Sequence, residues 1–265
     1  MPDPSQFNTD RTYPGRLTIT FSNPPINMFV PPTIIELGAL MTDLEADPSV
    51  KVAVFQSANP DFFIAHLDVA KAAERPEVLG LWRDFVLRLS SAPVVSIAKI
   101  RGRTRGIGNE FVLACDMRFA RRQSALFGNP EVGVGLVPGG GALEWLPRLV
   151  GRSRALEIVL SGDDFDADIA ERYGWVNRTL DDGDLGLLRR YSRPASGFVR
   201  PWSASRGEGS GQSVRDADSY RASVEQRHVL LNPGLAQCAG APCEGPRYGL
   251  RRSERLRIEL RQAPA

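Results

Sequence analysis

Two glutamates, each set in a glycine-rich stretch, are the side chains here best suited by type and spacing to chemistry. Glu110 closes RGIGNE (residues 105–110), which leads a strand-like run, VVSIAKI, into a helix-like run, EFVLAC. A helix start leaves backbone N–H groups without intrahelical partners, at the positive end of the dipole. Glycines such as Gly106 and Gly108 let a ligand approach the main chain closely. Such a place holds a phosphate, or an oxygen that gains negative charge during reaction. The spacing matches neither a dinucleotide fingerprint nor a P-loop, which favours the oxyanion. A tight strand-to-helix turn with glycines for packing accounts for the same residues equally well.

Glu131 stands in FGNPEVGVG (residues 127–135), after a strand-like run and before a glycine-rich turn. Taken singly, Glu110 reads as a helix-start charge and Glu131 as a surface charge on a loop. Two carboxyls flanking one oxyanion site would be a unit: one positions or deprotonates a water, the other delivers a proton.

The elements that must position these groups alternate. RLTITF, VKVAVFQSA, VVSIAKI, DMRFAR and WVNRTL read as strands. VKVAVFQSA shows no polar alternation, as expected of a strand buried on both faces. TIIELGALMTDLEAD places Ile34, Leu37, Leu40, Met41 and Leu44 at helical spacing. EVLGLWRDFVLRLSS is a helix with Leu79, Trp82, Phe85, Val86 and Leu89 on one stripe, and DFFIAHLDVAK reads as a turn. ALEWLPRLVG and RSRALEIVLSG read as helices, and ADIAERYG as a short helix capped by Asp166 and closed by Gly174. Alternating strands and helices predict an α/β fold with a mainly parallel sheet.

Composition narrows the function classes. The chain has 265 residues, 42% of them hydrophobic and 24% charged, with net charge +2. No apolar run approaches a membrane span. The polar N-terminus shows no secretory signal, so a reducing cytoplasm is the expected compartment. Three cysteines and two histidines stand in no ligand spacing, so no metal site is expected.

From about residue 17 to residue 180 the chain resembles the crotonase family, the enoyl-CoA hydratases and isomerases. NPPINMF resembles the family's Asn-Arg-Pro-x-x-Asn-Ala opening, and FFIAHLDV its Phe-x-Ala-Gly-Ala-Asp-Leu stretch. RGRTRGIGNEFVLACD resembles its glycine-triplet stretch with Glu-Leu and Cys-Asp, and FGNPEVGVGLVPGGG its Phe-Gly-x-Pro-Glu stretch with Pro-Gly-x-Gly. The resemblance implies a spiral of ββα units that binds an acyl-coenzyme A thioester, with coenzyme A as part of the substrate and no other cofactor. It puts the two thioester-oxygen donors on the backbone N–H groups of Leu67 and Ile107, and the two hydratase glutamates on Glu110 and Glu131. Ala65, His66 and Asp68 fall where adenine lies against the main chain. Gly106, Gly108, Pro130 and Gly139 are, with these three, the residues that the resemblance implies for binding substrate and coenzyme A. A homotrimer or hexamer is implied, with neither nucleic acid nor membrane as partner.

The implied reaction is addition of water to a 2-enoyl-CoA. Double-bond isomerisation by the same fold, and an inactive remnant that binds a partner, are the alternatives. The fold is shared with serine proteases, but His66 has no nucleophile motif around it. Departures from the family pattern are Ile107 and His66 in place of glycines, and Arg101, Arg103 and Arg105 in place of apolar or small residues. A positive φ at Ile107 would be costly. The arginines suit coenzyme phosphates or a solvated basic loop.

Residues 1–185 are read as the catalytic core and residues 186–265 as an atypical tail. The tail has fourteen arginines against seven acidic residues, a balance of +7, and two of the three cysteines. Its Arg, Ser, Gly and Pro show neither helical nor strand period, whereas the resemblance implies amphipathic helices. High-GC DNA read out of frame yields such a composition. Translating the encoding DNA past codon 185 in the other two frames is expected to reveal a helical apolar pattern running to a stop codon. Early stops in both frames would show that the tail is genuine.

Overall fold

The structure, a computed structural model, describes residues 5–181; the reading of residues 186–265 as an atypical tail lies outside the described residues. An antiparallel pair, β1 (Phe7–Asp10) and β2 (Arg16–Phe21), opens the chain and leads into α1 (Pro31–Ala46). Three repeats of strand, strand and helix follow. The first is β3 (Val52–Ser57), β4 (Phe62–Ile64), α2 (Val69–Glu74) and α3 (Glu77–Ser91). The second is β5 (Val95–Ile100), β6 (Arg103–Arg105) and α4 (Ile107–Ala114). The third is β7 (Met117–Arg121), β8 (Leu126–Gly128), a 3-10 turn at Pro130–Val134, α5 (Ala142–Val150) and α6 (Arg152–Ser161). Then come β9 (Phe165–Asp166), α7 (Ala167–Tyr173) and β10 (Arg178–Leu180).

Within each repeat the first strand enters one sheet and the second enters another. The larger sheet runs β1-β2-β3-β5-β7-β10 and is parallel beyond its first pair. The smaller runs β4-β6-β8-β9, with β9 antiparallel. This is the expected α/β spiral of ββα units.

The run at residues 52–57 lacks polar alternation because both faces of β3 are covered. Ala53 and Phe55 enter the main core, while Val52 and Val54 join Val95, Ile97 and Phe119 in a smaller apolar cluster. On α1 the five expected apolar residues are all buried. On α3 the stripe is Val78, Trp82, Phe85, Val86 and Leu89; Leu79 points outward at 42% exposure. Val78 and Trp82 are four apart and share a face, and one residue's rotation takes Leu79 off it. The stretch expected to be a turn contains β4 and the start of α2, whose N-cap Asp68 accepts from the Lys71 amide at 3.0 Å.

All eight residues of α4 are buried. Its Phe111 ring lies 5.4, 5.0 and 5.8 Å from those of Phe21, Phe55 and Phe85. At the other end of the helix, the buried Arg118 guanidinium donates to the carbonyls of Val112, Cys115 and Trp175. A cation suits a helix C-terminus. The helix that begins with Ile107 and carries Glu110 is therefore anchored at its middle and its end.

Candidate active site

Three short parallel strands deliver the site loops from the same end of the small sheet. Ile64 of β4 pairs with Thr104 of β6, which pairs with Phe127 of β8. Just beyond these positions come Ala65–Asp68, Gly106–Ile107 and Asn129–Glu131. The carboxyl ends of parallel strands are where α/β folds commonly gather reactive groups.

The first loop is clamped by residue 29. The Phe29 amide donates to the His66 carbonyl at 2.9 Å, and the Asp68 amide donates to the Phe29 carbonyl at 2.8 Å. Extended backbone alternates, so the N–H of Leu67 faces away from Phe29. Among the described residues it has no hydrogen-bond acceptor. Asn27 braces the same loop from below: its buried Nδ2 lies 2.6 Å from Ser57 Oγ and 3.3 Å from the carbonyls of Phe62 and Phe63.

In the second loop the positive φ, +52°, belongs to Gly106, and Ile107 begins the helix. The strain feared for a β-branched residue is thus borne by a glycine. The first N–H of a helix has no internal acceptor, and among the described residues that of Ile107 has none. Its side chain packs in the core at 6% exposure. Gly108 lets α4 settle on β4: a Cβ there would lie 2.5 Å from the Ile64 carbonyl oxygen, where backbone would have to move. Gly108→Ala should therefore lower the thermal midpoint by several degrees, the scale of a ~1–3 kcal/mol overpacking cost. It should also weaken turnover in the folded fraction, because pushing the start of α4 off β4 displaces the Ile107 N–H. Differential scanning calorimetry beside an activity assay checks this.

Glu110 is buried at 4% exposure. Its Oε1 accepts from the amides of Gly140 at 2.7 Å and Ala142 at 3.3 Å, at the start of α5. The Gly140 carbonyl is in turn held by Trp82 Nε1 at 3.0 Å. Burial, then the neighbouring Glu131, push the Glu110 carboxyl up to about 8, against the pull of the two amides. Glu131 is not a surface charge: burial raises its carboxyl too, and Oε2 is buried with no hydrogen-bond partner among the described residues. Its Oε1 lies beside Gly106, 3.0 Å from where a Cβ would stand. A Cβ there would crowd that oxygen, and the positive φ disfavours any residue but glycine. The structure thus gathers Gly106, Ile107, Glu110 and Glu131.

The remaining expected residues divide. Ala65, the first residue of the first loop, is buried, and Pro130 opens the 3-10 turn that carries Glu131. His66 is exposed, with Nδ1 2.9 Å from the Leu67 carbonyl. The Asp68 side chain is engaged as a helix cap. Gly139 is exposed, and its neighbour Gly140 is the residue that binds Glu110. Arg105 makes a bidentate pair with Asp164, and Arg103 lies over the Phe62 ring at 5.5 Å. Neither is an isolated loop cation. Trp82 and Gly140 were not foreseen as Glu110's support, because their contact with it joins residues far apart in the chain.

The description "Enoyl-CoA hydratase/isomerase" belongs to the family model that matches residues 12–186. A crotonyl-CoA hydratase of Syntrophomonas wolfei is 33% identical over 179 residues, covering 64% of this chain and 68% of that protein. A short-chain-enoyl-CoA hydratase of Clostridium acetobutylicum is 30% identical over 178 residues, with the same coverage. The crystal structure of a Streptomyces avermitilis protein described as a candidate enoyl-CoA hydratase is similar with a TM-score of 0.67. It is 38% identical and covers 89% of this chain and 83% of that one.

Proposed function

The chain belongs to the enoyl-CoA hydratase/isomerase family, and from that premise we propose that it adds water across the α,β double bond of a 2-enoyl-CoA thioester. The observation that carries the reading is the pair of carboxyls, buried Glu110 and half-buried Glu131, both held above the ordinary carboxylate range by burial, beside the unengaged N–H at the start of α4.

The Leu67 and Ile107 N–H groups receive the thioester oxygen as it becomes an enolate, which makes the β-carbon open to attack. In the reactive form the pair carries one proton, on Glu131, and Glu110 is ionised; fixed by Gly140 and Ala142, it holds the water and takes its proton. Glu131 gives its own proton to the α-carbon. One proton enters the pair and one leaves, so hydration needs no further acid. Isomerisation needs only one carboxyl to move a proton from one carbon to another, and the presence of a second glutamate beside the first favours hydration over it. Coenzyme A enters as part of the substrate, along the Ala65–Asp68 loop. A family-like homotrimer or hexamer in a cytoplasmic acyl-CoA pathway, such as fatty acid metabolism, completes the reading.

The test is a series of 2-enoyl-CoA thioesters of increasing chain length, followed by loss of the conjugated absorbance. Turnover on at least one length is expected. No turnover on any, with thioester binding intact, would favour the inactive remnant.

A further inference from the structure

Three polar side chains that the reaction does not use meet inside the apolar core. Trp175, just after α7, Asn109 on α4 and Asn129 just after β8 are each 0% exposed. Trp175 Nε1 donates to Asn109 Oδ1 at 3.0 Å, and Asn109 Nδ2 donates to Asn129 Oδ1 at 2.7 Å. Asn129 Nδ2 then reaches Glu131 Oε1 at 3.4 Å.

An amide side chain alone can present either end to a neighbour. An indole N–H can only donate. It therefore turns the Asn109 carbonyl towards Trp175 and the Asn109 amino group towards Asn129. Asn129 must accept with its oxygen, which leaves its own amino group facing Glu131. A donor-only group three links away thus sets which kind of atom meets the carboxyl. The carboxyl's other oxygen, Oε2, is buried with no partner among the described residues.

We propose that Trp175, Asn109 and Asn129 form a positioning relay that gives the two oxygens of Glu131 different roles, Oε1 as a held acceptor and Oε2 as the atom that delivers the proton. The proposal rests on the hydration reading above. In that step the Oε2–H bond breaks and its electron pair stays on the carboxylate. The enolate's electron pair forms the new C–H bond at the α-carbon. The charge left on Glu131 is met by the N–H of Asn129, which is already in place, so no amide has to turn during reaction. These three are positioning residues, since each acts through Glu131.

The test compares Trp175→Phe and Asn109→Asp with the parental protein on a thioester that it hydrates. Trp175→Phe removes the N–H that orients the relay and should lower kcat about tenfold with KM within about twofold. Asn109→Asp keeps the volume but offers only acceptors, so Asn129 must turn its amino group inward and its carbonyl towards Glu131. That reversal should lower kcat by on the order of a hundredfold, the scale for a mispositioned acid. A double-mutant cycle separates the relay from a merely structural role. In a Glu131→Gln background the Trp175→Phe penalty should disappear; circular dichroism and thermal midpoints accompany each variant. If Trp175→Phe does not fold, the isosteric Asn109→Asp decides. Parental kcat in the folded variants, or a Trp175→Phe penalty fully retained without Glu131, overturns the relay while leaving hydration standing. A parental protein that hydrates no thioester overturns both.

Discussion

Glu110→Gln should lower turnover by on the order of a hundredfold or more, the usual scale for a positioned acid or base, and at the same time make the folded protein more stable above pH 8. The two effects have one cause. Burial and the Glu131 charge raise the Glu110 carboxyl from its ordinary 4.5 to about 8 in the folded chain. The folded state therefore binds a proton that the unfolded chain gives up. The stability contributed by that proton is complete below about pH 4.5 and falls away as pH rises through 8. At about 1.4 kcal/mol per unit, the loss above pH 8 amounts to several kcal/mol. Glutamine keeps the oxygen that accepts from Gly140 and Ala142 but cannot ionise. The midpoint difference between variant and parent should therefore widen from pH 5 to pH 8 and then level off. Glu131→Gln should lower turnover similarly. Denaturant titrations across pH, with initial rates for both variants, check the account. Parental turnover in either variant, or a stability difference that does not change with pH, would contradict it.

The second large effect concerns a main-chain atom. Ile107→Pro should nearly abolish turnover, because proline has no N–H to offer the enolate oxygen; loss of one such donor costs on the order of a hundredfold or more. The fold should tolerate the backbone change well. Position 107 is the first residue of α4, where proline's fixed φ suits a helix and the missing N–H had no helical acceptor. The side chain is the complication, since Ile107 is buried in the core. Ile107→Ala supplies the control: it truncates the same packing, at about 2–5 kcal/mol, yet retains the N–H. Turnover per folded molecule should stay within about tenfold of the parent in Ile107→Ala and collapse in Ile107→Pro. Equal activity in the two would remove the donor role from this position.

The two carboxyls were legible in the sequence because each sits in a local pattern, a glycine-rich turn beside a strand or helix, that a reader can compare with a family. The buried character of β3 was equally plain, since a run without polar alternation has no solvent face. The second strands of the repeats were hidden for a physical reason. β4, β6 and β8 have three residues each, too few to display a period. Their arginines on β6 looked like a solvated loop because their partners, Asp164 and Phe62, lie about 60 and 40 residues away in the chain. Leu79 was placed on the buried face of α3 because two neighbouring apolar stripes overlap there, and only packing against α1 chooses between them. The support of the site was illegible throughout. Nothing local links Trp82 to Gly140 or Trp175 to Asn109. The polar Asn109 in an apolar helix was the one visible sign that the core held hydrogen-bonding work.

The measurement that bears most directly on the claim of hydration is isotope incorporation. The protein would be incubated with a 2-enoyl-CoA thioester in water labelled with both oxygen-18 and deuterium, and the thioester products analysed by mass spectrometry and NMR. Hydration predicts a 3-hydroxyacyl-CoA carrying one oxygen-18 at the β-carbon and one deuterium at the α-carbon, with both incorporated on the order of a hundredfold or more slowly by the Glu110→Gln and Glu131→Gln variants. Loss of conjugation with deuterium but no oxygen-18 in the product would mean that the double bond moves rather than adds water, and would contradict the account.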